Sequence, residues 1–157
     1  RDCLLSRGLG DVYKRQDVTD EIRTPEMSQV ASLISAQPAV RAFLLDLQRD
    51  MAKRYSVVMD GRDIGTVVLP QADVKIYLTA SPEVRARRRM GDLEAQGCAS
   101  SYERVLEEIR QRDHQDMTRP IAPLKQARDA VVLDTSSLSK AESLAAMKAI
   151  IQERIAP

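Results

Sequence analysis

The chain has 157 residues, of which 43% are hydrophobic and 30% charged, which suits one domain with a buried core and excludes disorder by composition. Lysine plus arginine (24) nearly cancels aspartate plus glutamate (23), so the net charge of +1 lacks the cationic excess of a nucleic-acid coat protein. No apolar run approaches the ~20 residues of a membrane span, and no signal peptide is evident.

Residues 1–16, RDCLLSRGLGDVYKRQ, carry neither a helical nor a strand period and are expected to be disordered or foreign sequence. The chain begins at Arg1 rather than Met, which fits a fragment. From Asp17 the signals sharpen. Thr24-Pro25-Glu26 is a helix start with proline at the first helical position, and Val30, Leu33 and Ile34 recur at helical spacing, which predicts a helix over 25–36. Pro38 begins a second helix to about Arg54, with Val40, Phe43, Leu44, Leu47 and Met51 on one stripe. Residues 56–60 and 74–79 (VKIYLT) read as strands. Ser81-Pro82-Glu83 opens a helix through about Gln96, ended by Gly97. Ser100 or Ser101 caps the next helix, which carries Val105, Leu106 and Ile109 and ends near 117. AVVLD, 130–134, is a third strand, and Ser139 caps a last helix with Leu144, Met147, Ile150 and Ile151 inward. The strands are short, β-branched and not alternating, as in a parallel sheet covered on both faces, and their alternation with helices predicts an α/β fold. Aromatics are only 3%, so aliphatic residues must fill the core.

Three charged stretches stand out. In VVMDGRDIGTVVLP an apolar run stops at Asp60-Gly61-Arg62-Asp63. This is either a turn with a local ion pair or a ligand site at the carboxyl end of a parallel strand, where open α/β sheets bind ligands. In VRARRRM, helical geometry places Arg85 and Arg89 on one face with Arg88 beside them, while Arg87 points elsewhere. Glu83 and Asp92 could partly neutralise that face. It is either a solvated basic face or an anion site, since the planar fork of arginine bonds two phosphate oxygens at once. In RQRDHQDMTRPIAPL, Arg112 and Arg119 lie seven apart and Asp113 and Asp116 three apart, just before a proline-rich loop. An ordinary charged surface is the alternative there.

Absences narrow the chemistry. The single histidine, His114, supports no Ser/His/Asp or Cys/His set. Cys3 and Cys98 match no metal or redox spacing, which fits a reducing cytoplasm. No G-x-x-x-x-G-K-[ST] occurs; Gly8-Leu9-Gly10 with Lys14 has no adjoining hydroxyl for magnesium. Arginine groups on an α/β sheet point to phosphate handling. Phosphoryl transfer needs mainly positioning and charge neutralisation. A phosphate acceptor, with a second pKa of about 6, is already an anionic nucleophile and needs no general base.

DEIRTPEMSQVASLISAQPAVR, DGRDIGTVVLPQADVKIYLTASPEVRARRR, EIRQRDHQDMTRPIAPL and AVVLDTSSLS together closely resemble bacterial cytidylate kinases, over about residues 17–155. The resemblance implies transfer of the γ-phosphoryl of ATP, with Mg²⁺ carried on the ATP and no direct protein ligand to the metal, to CMP or dCMP. It implies the P-loop nucleoside monophosphate kinase fold, a three-layer α/β architecture on a parallel sheet. The CMP-binding helices would fall in 17–55, the core in 56–81 and 117–157, and a mobile lid in 82–116. By motif, Ser32, Arg41 and Asp63 look like readers of the cytosine edge. Arg62 looks like a contact to the CMP phosphate, and Asp60 is expected near the reacting phosphates and magnesium. Arg112 and Asp116 resemble the pair that recognises the ribose hydroxyl, with Arg119 also at the CMP site. Arg85, Arg88 and Arg89 look like lid arginines that close over the transferring phosphoryl.

The family's first strand and glycine-rich phosphate loop have no counterpart here, and 1–16 is expected not to match. In this fold that first strand lies between the strands at 56–60 and 74–79, so its loss would expose two central edges. The chain alone is therefore expected to be inactive and marginally stable. Its partners are expected to be the small molecules CMP, dCMP and ATP, with no nucleic acid and no membrane, for a cytoplasmic monomer. A kinase for another monophosphate, such as UMP or AMP, is the alternative that Asp63 discriminates. A non-catalytic nucleotide or RNA binder is a second, disfavoured by the near-zero charge and few aromatics.

Overall fold

The computed structural model describes residues 12–13, 16–18, 22, 25–35, 37–95 and 97–155, with backbone alone at 12–13, 16–17, 25–26, 28–29 and 32. It divides into two compact units, Arg1–Asp50 and Met51–Pro157.

In the first unit, β1 (Val12–Tyr13) pairs antiparallel with β2 (Gln16–Asp17), Val12 opposite Asp17. This small hairpin spans residue 16, the expected edge of the foreign segment. Two helices follow, α1 (Pro25–Ser35) and α2 (Pro38–Arg54), the second crossing into the other unit. Both start on the prolines the sequence marks, because the first turn leaves its N–H groups unpaired and loses nothing to a residue without one. The predicted apolar stripes are helical but not inward. Val30, Leu33 and Ile34 of α1, and Phe43, Leu44 and Leu47 of α2, are exposed, Phe43 at 71%. Periodicity dictates the helix; burial needs a partner surface.

In the second unit the expected strand at 56–60 does not form. These residues have no regular hydrogen-bonded structure, and Val58 is 98% exposed. A strand exists only through a ladder neighbour, and none of the described residues pairs with this stretch. A π-helical turn, Ile64–Val68, follows. The Asp63 carbonyl accepts from Val67 N at 2.8 Å, and Leu69 N returns to Ile64 O at 2.7 Å. Gly61 is required beside it, since a Cβ there would stand 2.8 Å from Ile64.

The sheet among the described residues is a parallel pair, β3 (Ile76–Thr79) with β4 (Val131–Asp134), in register from Ile76–Val131 to Thr79–Asp134. The ladder is extended by Val131 N to Lys75 O (2.9 Å) and Thr135 N to Thr79 O (2.8 Å). Leu78 and Val132 remain 55% and 51% exposed, so this pair is not covered on both faces as the sequence predicts.

Between the strands run α3 (Pro82–Ala95) and α4 (Tyr102–Thr118). Gly97, at φ +71°, ends the α3 segment in the left-handed conformation that favours glycine, and Cys98 N reaches back to Leu93 O at 2.9 Å. Ser101, not Ser100, is the cap of α4; its side chain accepts from Arg104 N at 3.3 Å. The tightest core lies between these two helices: Ala86, Leu93 and Val105, with Met90, Tyr102, Leu106 and Ile109 packed against them.

The last helix is α5 (Lys140–Ile155). Met147, Ile150 and Ile151 are half-buried as expected, but Leu144 is 49% exposed and not inward, because the two-stranded sheet offers α5 little surface to cover. Its start is a reciprocal cap: Ser139 Oγ accepts from Glu142 N (3.2 Å) and Ser139 N donates to Glu142 Oε2 (2.8 Å). Ser139→Ala should lower the unfolding free energy by about 1 kcal/mol, read as a shifted urea midpoint at unchanged slope. An unmoved midpoint would mean that α5 contributes nothing to the cooperative unit.

Candidate functional site

The end of α4 gathers the first cluster. Pro120 cannot continue a helix, so α4 stops at Thr118 and Arg119 takes an extended backbone, its N–H still bonded to Gln115 O at 3.0 Å. Asp116 lies in the last turn, where the helix dipole disfavours an acid, and it is only 6% exposed. Cations meet it from two sides. Arg62 Nε donates to Asp116 Oδ2 at 2.8 Å, and Arg119 Nη1 lies 3.8 Å from Asp116 Oδ1. Arg119 Nη2 lies 3.6 Å from Asp63 Oδ1, and Asp63 is 8% exposed. Two arginines and two aspartates thus form one linked group.

Arg119 is further fixed by Nε donating to Ala122 O at 2.7 Å. Ala122 adopts φ +48°, a left-handed conformation that costs a non-glycine residue about 1–2 kcal/mol. Arg119 Nη2 is buried and makes no hydrogen bond among the described residues. Its nearest charged neighbour is the Asp63 carboxylate, beyond hydrogen-bond reach at 3.6 Å.

The second cluster ties α3 to the carboxyl ends of the strands. Arg85 Nε donates to Ala80 O, just beyond β3, at 3.2 Å. Its Nη1 and Nη2 grip the two carboxylate oxygens of Asp113 on α4, the first at 3.0 Å. The Asp113 carboxylate raises the Arg85 pKa above its already high ordinary value. Arg88 Nη2 donates to Thr135 O (2.5 Å) and Leu138 O (3.1 Å), and Nη1 to Thr135 Oγ1 (3.2 Å). Thr135, just beyond β4, is 4% exposed and bonds Thr79 O at 3.0 Å.

The acids expected beside these arginines were Glu83 and Asp92. Glu83 instead accepts from the guanidinium of Arg110 at 2.8 Å and adds only a Coulombic share at Arg85, whose main partner is Asp113. The reason is a pairing across the helix hairpin, which spacing within α3 cannot reveal.

Of the other candidates, Arg89 is half-buried, and Asp60 and Arg112 are exposed. Arg112 does not pair with Asp116, whose oxygens face Arg62 and Arg119. Arg41 donates to Ser35 O at 3.2 Å within the first unit, and the side chain of Ser32 lies outside the described residues. The sequence missed Asp113 as an arginine partner, although its three-residue spacing from Asp116 put both on one helix face. It also missed Thr135 and Ala122, which carry no charge to flag them. Among the described residues no three His, Cys, Asp or Glu side chains cluster as a metal site, and no helix is long and apolar enough to cross a membrane.

Carboxylates elsewhere respond to local donors. Glu83 sits below its ordinary pKa through its own backbone N–H and then Arg110, and Glu142 through Ser139. Asp129 is lowered by Lys75, and Asp134 by the Ser136 hydroxyl and backbone N–H. Each folded pKa lies below the unfolded one, so the unfolded state binds more protons in acid. Stability should be complete above about pH 5 and fall as pH drops through the carboxylate range near 4. Urea midpoints measured from pH 7 to pH 3 check this; a midpoint that rises toward pH 3 contradicts it.

A parallel strand pair whose carboxyl ends anchor arginines, beside a buried arginine–aspartate group, is an α/β arrangement with its charged side chains gathered where open sheets of this class place their sites. The sequence profile of the cytidylate kinase family matches residues 7–153, and the chain belongs to that family. It is 56% identical over 140 residues to the cytidylate kinase of Mycobacterium leprae (strain Br4923), covering 88% of this chain and 63% of that one. It is 51% identical over 140 residues to that of Carboxydothermus hydrogenoformans, covering 89% and 63%. The Azorhizobium caulinodans cytidylate kinase is 51% identical over 161 aligned residues, covering 96% of this chain and 78% of its own. The chain therefore spans 63% of the length of the first two relatives.

Proposed function

We propose that this chain supplies the CMP site and the arginine-rich segment of an ATP-dependent kinase that converts CMP, and dCMP, to the diphosphate. The observation that carries the reading is the Arg62–Asp116–Arg119–Asp63 group with its one unsatisfied, buried Arg119 donor. Asp116 aims both arginines, so their forks need no reorganisation when an anion arrives. Arg62, with its side chain 41% exposed and its Nε on Asp116, suits the CMP phosphate. Asp63 is acceptor-only when ionised and suits the exocyclic amino group of cytosine, which uracil lacks. For Ser32, Arg41 and Arg112 the support is the motif resemblance alone, which implies the cytosine edge for the first two and the ribose for the third.

The donor side follows the same physics. Arg85, Arg88 and Arg89 neutralise the transferring phosphoryl, and the helix pair 82–116 moves as a lid. The acceptor phosphate is its own nucleophile, so no residue here needs to remove a proton. Magnesium enters with ATP as part of the substrate, with Asp60 near it. The sheet belongs to a three-layer P-loop architecture, and the protein acts as a cytoplasmic monomer.

Calorimetric titration of the chain with CMP, UMP, AMP and a short RNA tests the binding half. CMP is expected to bind tightest, with little salt dependence beyond its phosphate. Equal affinity for CMP and UMP sinks the cytosine assignment, and tight, steeply salt-dependent RNA binding favours a nucleic-acid module. ADP formation from ATP and CMP by a protein of the relatives' full length tests the transfer.

A further inference from the structure

Arg85 is the one candidate phosphoryl-binding arginine whose guanidinium is gripped end-on by a carboxylate. Asp113 takes one N–H from each of Nη1 and Nη2, and Ala80 O takes the Nε–H. The two N–H groups left over point in different directions, so no two-donor edge remains for a phosphate. The pair joins two helices and is about one-third exposed on each side, and is thus open to exchange with a solvent anion. Asp113 also stands one turn before Asp116 on α4, so the same helix grips arginines from α3 and from the 60–63 loop.

We propose that Asp113 is a latch that occupies Arg85 in the ligand-free protein and must release it before the arginine can bind a polyphosphate chain. The proposal deepens the kinase reading above and rests on its assignment of Arg85 to phosphoryl groups. Asp113 mimics the anion that Arg85 is to receive, with two oxygens at phosphate-like spacing. It neutralises Arg85 on the cationic face of α3 until a more highly charged ligand competes for it. No other residue gives Arg85 an ion pair among the described residues.

The test is calorimetric titration of the chain with inorganic tripolyphosphate, free of nucleoside and metal. Asp113→Asn and Asp113→Ala should each tighten binding about fivefold, the worth of a part-exposed ion pair that no longer competes. Asp113→Glu, which keeps the carboxylate, should stay within about twofold of the parent chain. In an Arg85→Gln background, Asp113→Asn should give no tightening. Tightening that persists in that background is a general field effect and overturns the latch, as does unchanged or weaker binding, or no binding by any variant. Far-ultraviolet circular dichroism of each variant confirms folding, and the alanine and asparagine variants back each other up. Failure of CMP to bind the parent chain would count against the kinase reading, whereas an Arg85-independent result counts against the latch alone.

Discussion

Asp116→Ala is expected to destabilise the second unit by about 2–3 kcal/mol. Removing one partner of a buried charged group costs more than the pair is worth, because the remaining charge stays desolvated. Here two cations lose their acceptor. Arg119, with a side chain 15% exposed, would keep only Ala122 O and the carboxylate of Asp63 at 3.6 Å, with one buried nitrogen already lacking a hydrogen bond. Arg62, at 41% exposure, can turn to water, which holds the estimate below the 3–5 kcal/mol range of fully buried pairs. Urea unfolding reads the effect as a lower midpoint. CMP affinity should fall with it, since both arginines lose their aim. A loss under about 0.5 kcal/mol would place Asp116 among ordinary surface residues.

Asp63→Ala should lower the preference for CMP over UMP by about 10–100-fold, the discrimination carried by one well-placed hydrogen-bond acceptor on a base edge. The preference should shrink mainly through weaker CMP binding, because uracil never used the lost acceptor. The Asp63 carbonyl, which organises the 64–68 turn, belongs to the backbone and survives the substitution. The turn should therefore persist, and stability should fall less than for Asp116→Ala. Competition titrations with the two nucleotides measure the ratio. An undiminished ratio would move the reading of cytosine to other residues.

The two substitutions probe residues whose prominence in the sequence differed in kind. Asp63 sits in an abrupt charged break within an apolar stretch, a local signal of the type that sequence displays well. The inward position of Asp116 is not local. Its neighbours on α4, Asp113 and Arg112, look equivalent in sequence, yet Asp113 bonds Arg85, Arg112 is exposed, and Asp116 takes Arg62 from 54 residues away. The motif resemblance pairs Asp116 with Arg112, whereas the cations that face Asp116 among the described residues are Arg62 and Arg119.

The sequence by itself determined the elements whose causes lie within a few residues. The prolines at 25, 38 and 82, Ser101, Gly97 and the Ser139–Glu142 box begin and end helices through their own backbone geometry and caps. It also determined the α/β class, through strands such as IYLT and VVLD set among helical periods. Only the tertiary structure decided what depends on a distant partner. Residues 56–60 have the composition of a strand but no ladder neighbour among the described residues, and Leu33, Phe43 and Leu144 have helical spacing but stay exposed. Arg85 and Arg88, adjacent on one helix, part company because one meets a carboxylate on α4 and the other the carbonyls beyond β4. Short-range sterics and capping are written in neighbouring residues; burial and ion pairing are settled only when segments far apart in the chain come together.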